Sequence, residues 1–112
     1  MKNVIEIDGH KAVIAFDPDI GMFRGEFLGL NGGADFYADS VEGLEIEGRR
    51  SLAVFLEICR EKNVEPFRSF SGKFNVRLDP KLHEAAVIAA AASNKSLNEW
   101  VAEAVEKAAE EA

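Results

Sequence analysis

Cysteine is almost missing from this 112-residue chain: Cys59 stands alone, so no disulfide can form within it and disulfide-stapled scaffolds are excluded. A lone cysteine suits a reducing compartment, and the expected location is the cytoplasm. Cys59 lies in LAVFLEICREK, a helical pattern without a nearby histidine, which predicts a small buried hydrophobe rather than a nucleophile. Long apolar runs are missing too. None approaches the roughly 20 residues that span a bilayer, so no membrane segment is expected. Residues 1–8 place Glu6 and Asp8 where a secretion signal needs an apolar core. The two histidines, His10 and His83, are far apart and have no Cys or His at metal-ligand spacing, so both are expected at the surface. No glycine-rich loop of nucleotide-binding spacing occurs, and GLNGG reads as a turn. No cofactor and no metal are expected.

Basic charge is also short, with 13 Lys and Arg against 20 Asp and Glu, a net charge of −7. The deficit is uneven. Residues 1–72 carry 8 basic and 13 acidic side chains, and residues 73–112 carry 5 and 7. Such a surface argues against a generic nucleic-acid coat protein and favours encounters with basic partners.

What is present falls into two parts. HKAVIAFD (10–17) alternates like a strand, PDIG (18–21) turns, MFRGEFLGL (22–30) returns, NGGAD (31–35) turns again, and FYA (36–38) is a short third strand. VIEI (4–7) can pair at an edge. Asp39-Ser40 then offers an N-cap for a helix running to Lys62-Asn63, with Gly43 and Gly48 weakening its first half. We place an αβ domain over residues 1–64 and a linker over 65–72. Phe67 and Phe70 in that linker are candidate docking points.

Residues 73–112 read as strand, helix, helix. In SGKFNVRLDP, Lys73, Asn75 and Arg77 alternate with Phe74, Val76 and Leu78. Asp79-Pro80 is an N-cap followed by proline at the first helical position, KLHEAAVIAAAA is alanine-rich, SNK breaks it, and SLNE (96–99) is a capping box for a last helix ending near Glu110. One strand under two helices buries too little apolar area to stand alone. The economical remedy is a twofold dimer in which two strands pair antiparallel and four helices close around them. Phe74, Val76, Leu78, Leu97 and Val101 form its shared core, and higher association stays open. Lys73, Asn75 and Arg77 then line one face of a two-stranded ribbon.

Such a ribbon fits the DNA major groove. Lys and Arg can donate to guanine, and Asn can bond adenine in bidentate fashion. Lys95, with Ser96 and Leu97 at the start of the last helix, could hold a backbone phosphate. A water-facing amphipathic strand is the plainer reading of the same alternation. Trp100 lies off the main apolar stripe of the last helix.

The run from KFNVRLDP to SLNEWVAEAV resembles a ribbon-helix-helix domain. With HKAVIAFDPDIGMFRGEFLGL and ADSVEGL, the chain resembles the longer subgroup of the HicB antitoxin family over residues 10–108. The resemblance implies an α+β protein: a small antiparallel sheet with a helix, similar to a decayed ribonuclease H fold, and a C-terminal ribbon-helix-helix dimerisation domain over residues 73–112. It also implies a type II antitoxin that neutralises a small basic HicA-like toxin, an mRNA-cleaving ribonuclease, and represses its own operon by binding operator DNA. No catalytic residue is expected. Two other readings remain: a ribbon-helix-helix repressor without a toxin, and a pure interaction protein. A metal-dependent nuclease would need Glu6, Asp8, Asp17, Asp19 and Glu26 to converge. Asp17 and Asp19 flank a proline in a turn, where aspartate serves the backbone.

Overall fold

A computed structural model describes residues 1–112. The elements are β1 (Val4–Ile7), β2 (His10–Asp17), β3 (Met22–Phe27), β4 (Asp35–Ala38), α1 (Val41–Lys62), α2 (Pro80–Ala92) and α3 (Leu97–Glu111). The strands form one antiparallel sheet in the order β1-β2-β3-β4, so the class is α+β. No helix is long and apolar enough to cross a membrane. The chain divides into two units, residues 3–71 and residues 72–112 with the first two residues.

In the first unit the sheet grows by local turns. Asp8-Gly9 joins β1 to β2, with φ of 49° and 82°, and brings Ile7 opposite His10. Two consecutive positive φ angles match the right-handed twist of a hairpin, and Asp-Gly is a favoured pair for that turn. Between β2 and β3 the Asp17 carboxylate accepts from the Asp19 N–H at 3.0 Å, and Gly21 N–H closes the turn onto the Asp17 carbonyl at 2.9 Å.

One face of the sheet is apolar and α1 covers it. Ile7, Ala12, Phe27, Phe36 and Ala38 pack with Leu44, Leu52, Phe55 and Cys59 in a single buried cluster. The helix starts at Ser40, whose hydroxyl accepts from the Gly43 N–H at 3.0 Å, and ends at Asn63 in the left-handed region. Gly43 and Gly48, which cost helix propensity, have a tertiary reason. A Cβ on Gly48 would lie 2.4 Å from Ile7 Cδ1, and one on Gly43 would lie 2.9 Å from the Ala38 Cβ. Their bare backbones let α1 sit against β1 and β4.

The segment expected as a linker is engaged with this unit as far as Arg68. Asn31 Nδ2 donates to the carbonyls of Glu65 and Phe67, and the Arg68 N–H donates to the Gly29 carbonyl at 2.9 Å. Phe67 stacks on His10 with ring centroids 4.7 Å apart, so His10 is half-buried. Phe70 is 73% exposed, with the Arg68 guanidinium 5.0 Å from its ring centre.

In the second unit two helices pack as a hairpin. Their contact buries Ala86 and Ala90, one turn apart on α2. Small side chains there let the helices approach closely. The larger apolar residues Leu82, Val87, Ile88, Leu97, Val101 and Val105 stay exposed, and α3 buries no residue at all.

Candidate nucleic-acid interface

The site is built from residues 73–79 and the turn between α2 and α3. Residues 73–79 form neither helix nor strand, and the sheet contains only β1 to β4. The strand expected over residues 73–78 is therefore not formed within a single chain. The reason is physical: a strand exists by its ladder, and no other strand of this chain is paired with residues 74–78. Phe74 is 74% exposed, Val76 61% and Leu78 43%. Asn75 and Arg77 are exposed as well, as is Lys73. Both the apolar and the polar sets lie at the surface of the single chain.

The segment ends in a defined way. The Asp79 carboxylate accepts from the Lys81 N–H at 2.9 Å, and Pro80 opens α2. At the other end of α2 the Asn94 N–H donates to the Ala91 carbonyl at 3.0 Å and the Lys95 N–H to the Ala90 carbonyl at 2.9 Å. Asn94 itself takes φ of 55°. This paired closure with a left-handed asparagine is the Schellman arrangement, and it fixes where the chain leaves α2. Lys95 and Ser96 are thereby held at the entrance of α3.

Ser96 is the N-cap of α3, and its hydroxyl oxygen accepts from the Glu99 N–H at 3.1 Å. The capping box differs from the reciprocal form. The Ser96 hydroxyl donates to the Glu99 carboxylate at 3.1 Å, side chain to side chain. Leu97 follows at the first helical position, where N–H groups have no intrahelical acceptor and can meet an anion.

Lys95 is not idle. Its half-buried ammonium pairs with the Glu103 carboxylate, two turns into α3. Nothing local in the sequence marks that partner, because residues eight apart meet here only through the turn between helices. A phosphate at the start of α3 would have to compete with Glu103 for Lys95. The pair borders a hollow of about 300 Å³ with Ser93, Trp100, Ala104 and Lys107. The Trp100 side chain is half-buried there.

The carboxylates of the first unit do not converge. Asp8 pairs with Arg49 at 3.4 Å, Asp17 serves its turn, and Glu26 and Asp35 flank Arg24 at 3.3 and 2.5 Å. The hydrogen bond to Asp35, with a further one to Tyr37, holds the Arg24 guanidinium charged even beyond its usual range. No group of three or more His, Cys, Asp or Glu side chains is placed to hold a metal ion.

Comparison with known proteins adds one finding. The model of the HicB family matches residues 55–105, from the second half of α1 through α2 and into α3. That span includes Lys73, Asn75, Arg77, Lys95, Ser96 and Leu97, and the apolar residues Phe74, Val76, Leu78 and Val101. No curated protein and no solved structure matches the chain.

Proposed function

We propose that the chain is a HicB-family antitoxin that dimerises through residues 73–108 and represses its own operon. The observation that carries this reading is the alternation at residues 73–78, exposed on both sides and set inside the matched span. In the dimer two copies of the segment pair antiparallel as a ribbon-helix-helix core. Phe74, Val76 and Leu78 turn toward the helices and meet the exposed sides of Leu97 and Val101. Each such side chain contributes about 1.5–3 kcal/mol when fully removed from water. Lys73, Asn75 and Arg77 of both copies then enter the major groove and read bases, while the start of α3 and Lys95 hold a phosphate.

The first unit, similar in this reading to a decayed ribonuclease H domain, covers a small basic HicA-like toxin. Its charge supports that role, since residues 3–71 carry 7 basic and 13 acidic side chains. It is not catalytic in this proposal.

The test is a footprint of the purified chain on the DNA upstream of its own gene, beside a pull-down from its native cells. Protection of a twofold-symmetric site that is lost in Asn75→Ala and Arg77→Ala is the expected result. Equal protection by those variants removes the ribbon reader. Recovery of a small basic protein from the neighbouring gene is expected in the pull-down, and its absence leaves a repressor without a toxin.

A further inference from the structure

Helix α1 carries two apolar stripes. Leu44, Gly48, Leu52, Phe55 and Cys59 are buried against the sheet. Ile46, Val54 and Ile58 lie on a second line, with Arg50 between them at the same four-residue steps. They are 51%, 60% and 43% exposed. One stripe is enough to hold a helix on a sheet. The second contributes nothing to the core of this unit.

Beside the second stripe runs a free sheet edge. β4 is the last strand and pairs only with β3. The Phe27 N–H donates to the Ala34 carbonyl, so alternation turns the backbone of Phe36 and Ala38 toward β3 and that of Asp35 and Tyr37 outward. The Ser51 hydroxyl donates to the outward carbonyl of Asp35 at 3.1 Å, as that geometry requires. The Asp35 N–H and both backbone groups of Tyr37 remain open at the edge. β4, Asp-Phe-Tyr-Ala, has no lysine, proline or bulge to blunt it. Between the edge and α1 lies a groove of about 390 Å³, lined by Asp35, Phe36, Glu47, Ser51, Val54 and Ile58 among others.

We propose that this groove receives an extended segment of a basic protein partner, added to β4 as a fifth strand. The inference rests on the antitoxin reading and locates its partner surface. An extended segment fits because its backbone can meet the open groups of Asp35 and Tyr37, which a helix has no free groups to do. Apolar side chains on one face of that strand rest on Val54 and Ile58. A basic partner fits because residues 3–71 carry 7 Lys and Arg against 13 Asp and Glu. A second copy of the chain would bring the same acidic excess to the groove rather than a complementary charge.

The experiment uses the full chain and a soluble peptide of about ten residues that alternates valine with lysine and arginine, long enough to form one strand. Amide exchange is followed by NMR. Slowed exchange at Asp35 and Tyr37 is expected, with affinity falling about tenfold or more in Tyr37→Pro and in Val54→Asp. Tyr37→Pro removes an N–H that the sheet does not use, and Val54 is exposed, so both variants keep the fold. Val13→Ser, on the face of the sheet away from α1, should bind like the parent. Exchange unchanged at Asp35 and Tyr37, or equal affinity in Tyr37→Pro, overturns the proposal. A basic partner protein that binds Tyr37→Pro and the parent alike leaves the antitoxin reading standing and removes this groove from it. Slowed exchange with the peptide, while no partner protein is recovered from cells, removes the toxin and keeps the groove.

Discussion

Leu44 and Phe74 are both large apolar side chains, yet Leu44 is 2% exposed and Phe74 is 74% exposed. The contrast holds for the regions they represent. Residues 3–71 close a sheet over a helix and bury eleven apolar residues in one cluster. In residues 72–112 only two alanines are buried, while Phe74, Val76, Leu82 and Ile88 face outward. Hydrophobic patterning is strong in both. The difference is whether the chain itself supplies the covering surface. The first region buries its apolar face within one copy, and the second leaves its larger apolar side chains exposed.

The largest expected effect breaks the second region alone. Val76→Asp should abolish the proposed dimer, because it would place an unpaired charge in the core that the two copies would share. Sedimentation equilibrium should read a monomer at all working concentrations. A folded Val76→Asp dimer would sink the ribbon architecture. Next, Leu44→Ala should destabilise the first region by about 2–5 kcal/mol, the usual range for a buried leucine. Urea unfolding should show it. Trp100 lies in the other region, so its fluorescence midpoint should move less than a probe on the sheet.

Asn75→Ala and Arg77→Ala sharpen the comparison by separating assembly from recognition. Each should lose about 1–3 kcal/mol of operator discrimination while the dimer persists. Competition binding against a scrambled duplex is the measurement. Ser96→Ala should cost about 1 kcal/mol, a typical cap loss, seen as reduced thermal stability of the α-helical signal. The smallest effect concerns the pair at the start of α3. Glu103→Gln should release Lys95 for a phosphate and steepen the salt dependence of DNA binding by about one counterion per copy. An unchanged slope would mean that Lys95 is not a phosphate contact.

Much of this was legible because the signals are local. β2 spans His10–Asp17, α1 stops at Lys62 with Asn63 as its cap, and α3 begins after Ser96, all where turn and cap residues place them. The edge strand β1 was only loosely readable, although Asp8-Gly9 is a hairpin signal that would have secured it. Gly43 and Gly48 read as weak points of a helix and are instead its points of closest approach to the sheet. Ile46, Val54 and Ile58 are apolar and yet lie outside the core. Lys95 read as an available cation and is held by Glu103. For the two glycines and for Lys95, a side chain from elsewhere in the fold decided the outcome.

Strand β2, the three helices with their caps, and the alternation at residues 73–78 follow from the sequence alone, because backbone preferences, capping hydrogen bonds and periodicity act across a few residues. Only the tertiary structure decided which apolar stripe of α1 is covered, which carboxylate holds Lys95, and that β4 keeps an open edge. It also left residues 74–78 without a ladder. Burial and ion pairing depend on the surface that arrives from distant positions, and for that segment no such surface is drawn from the same chain.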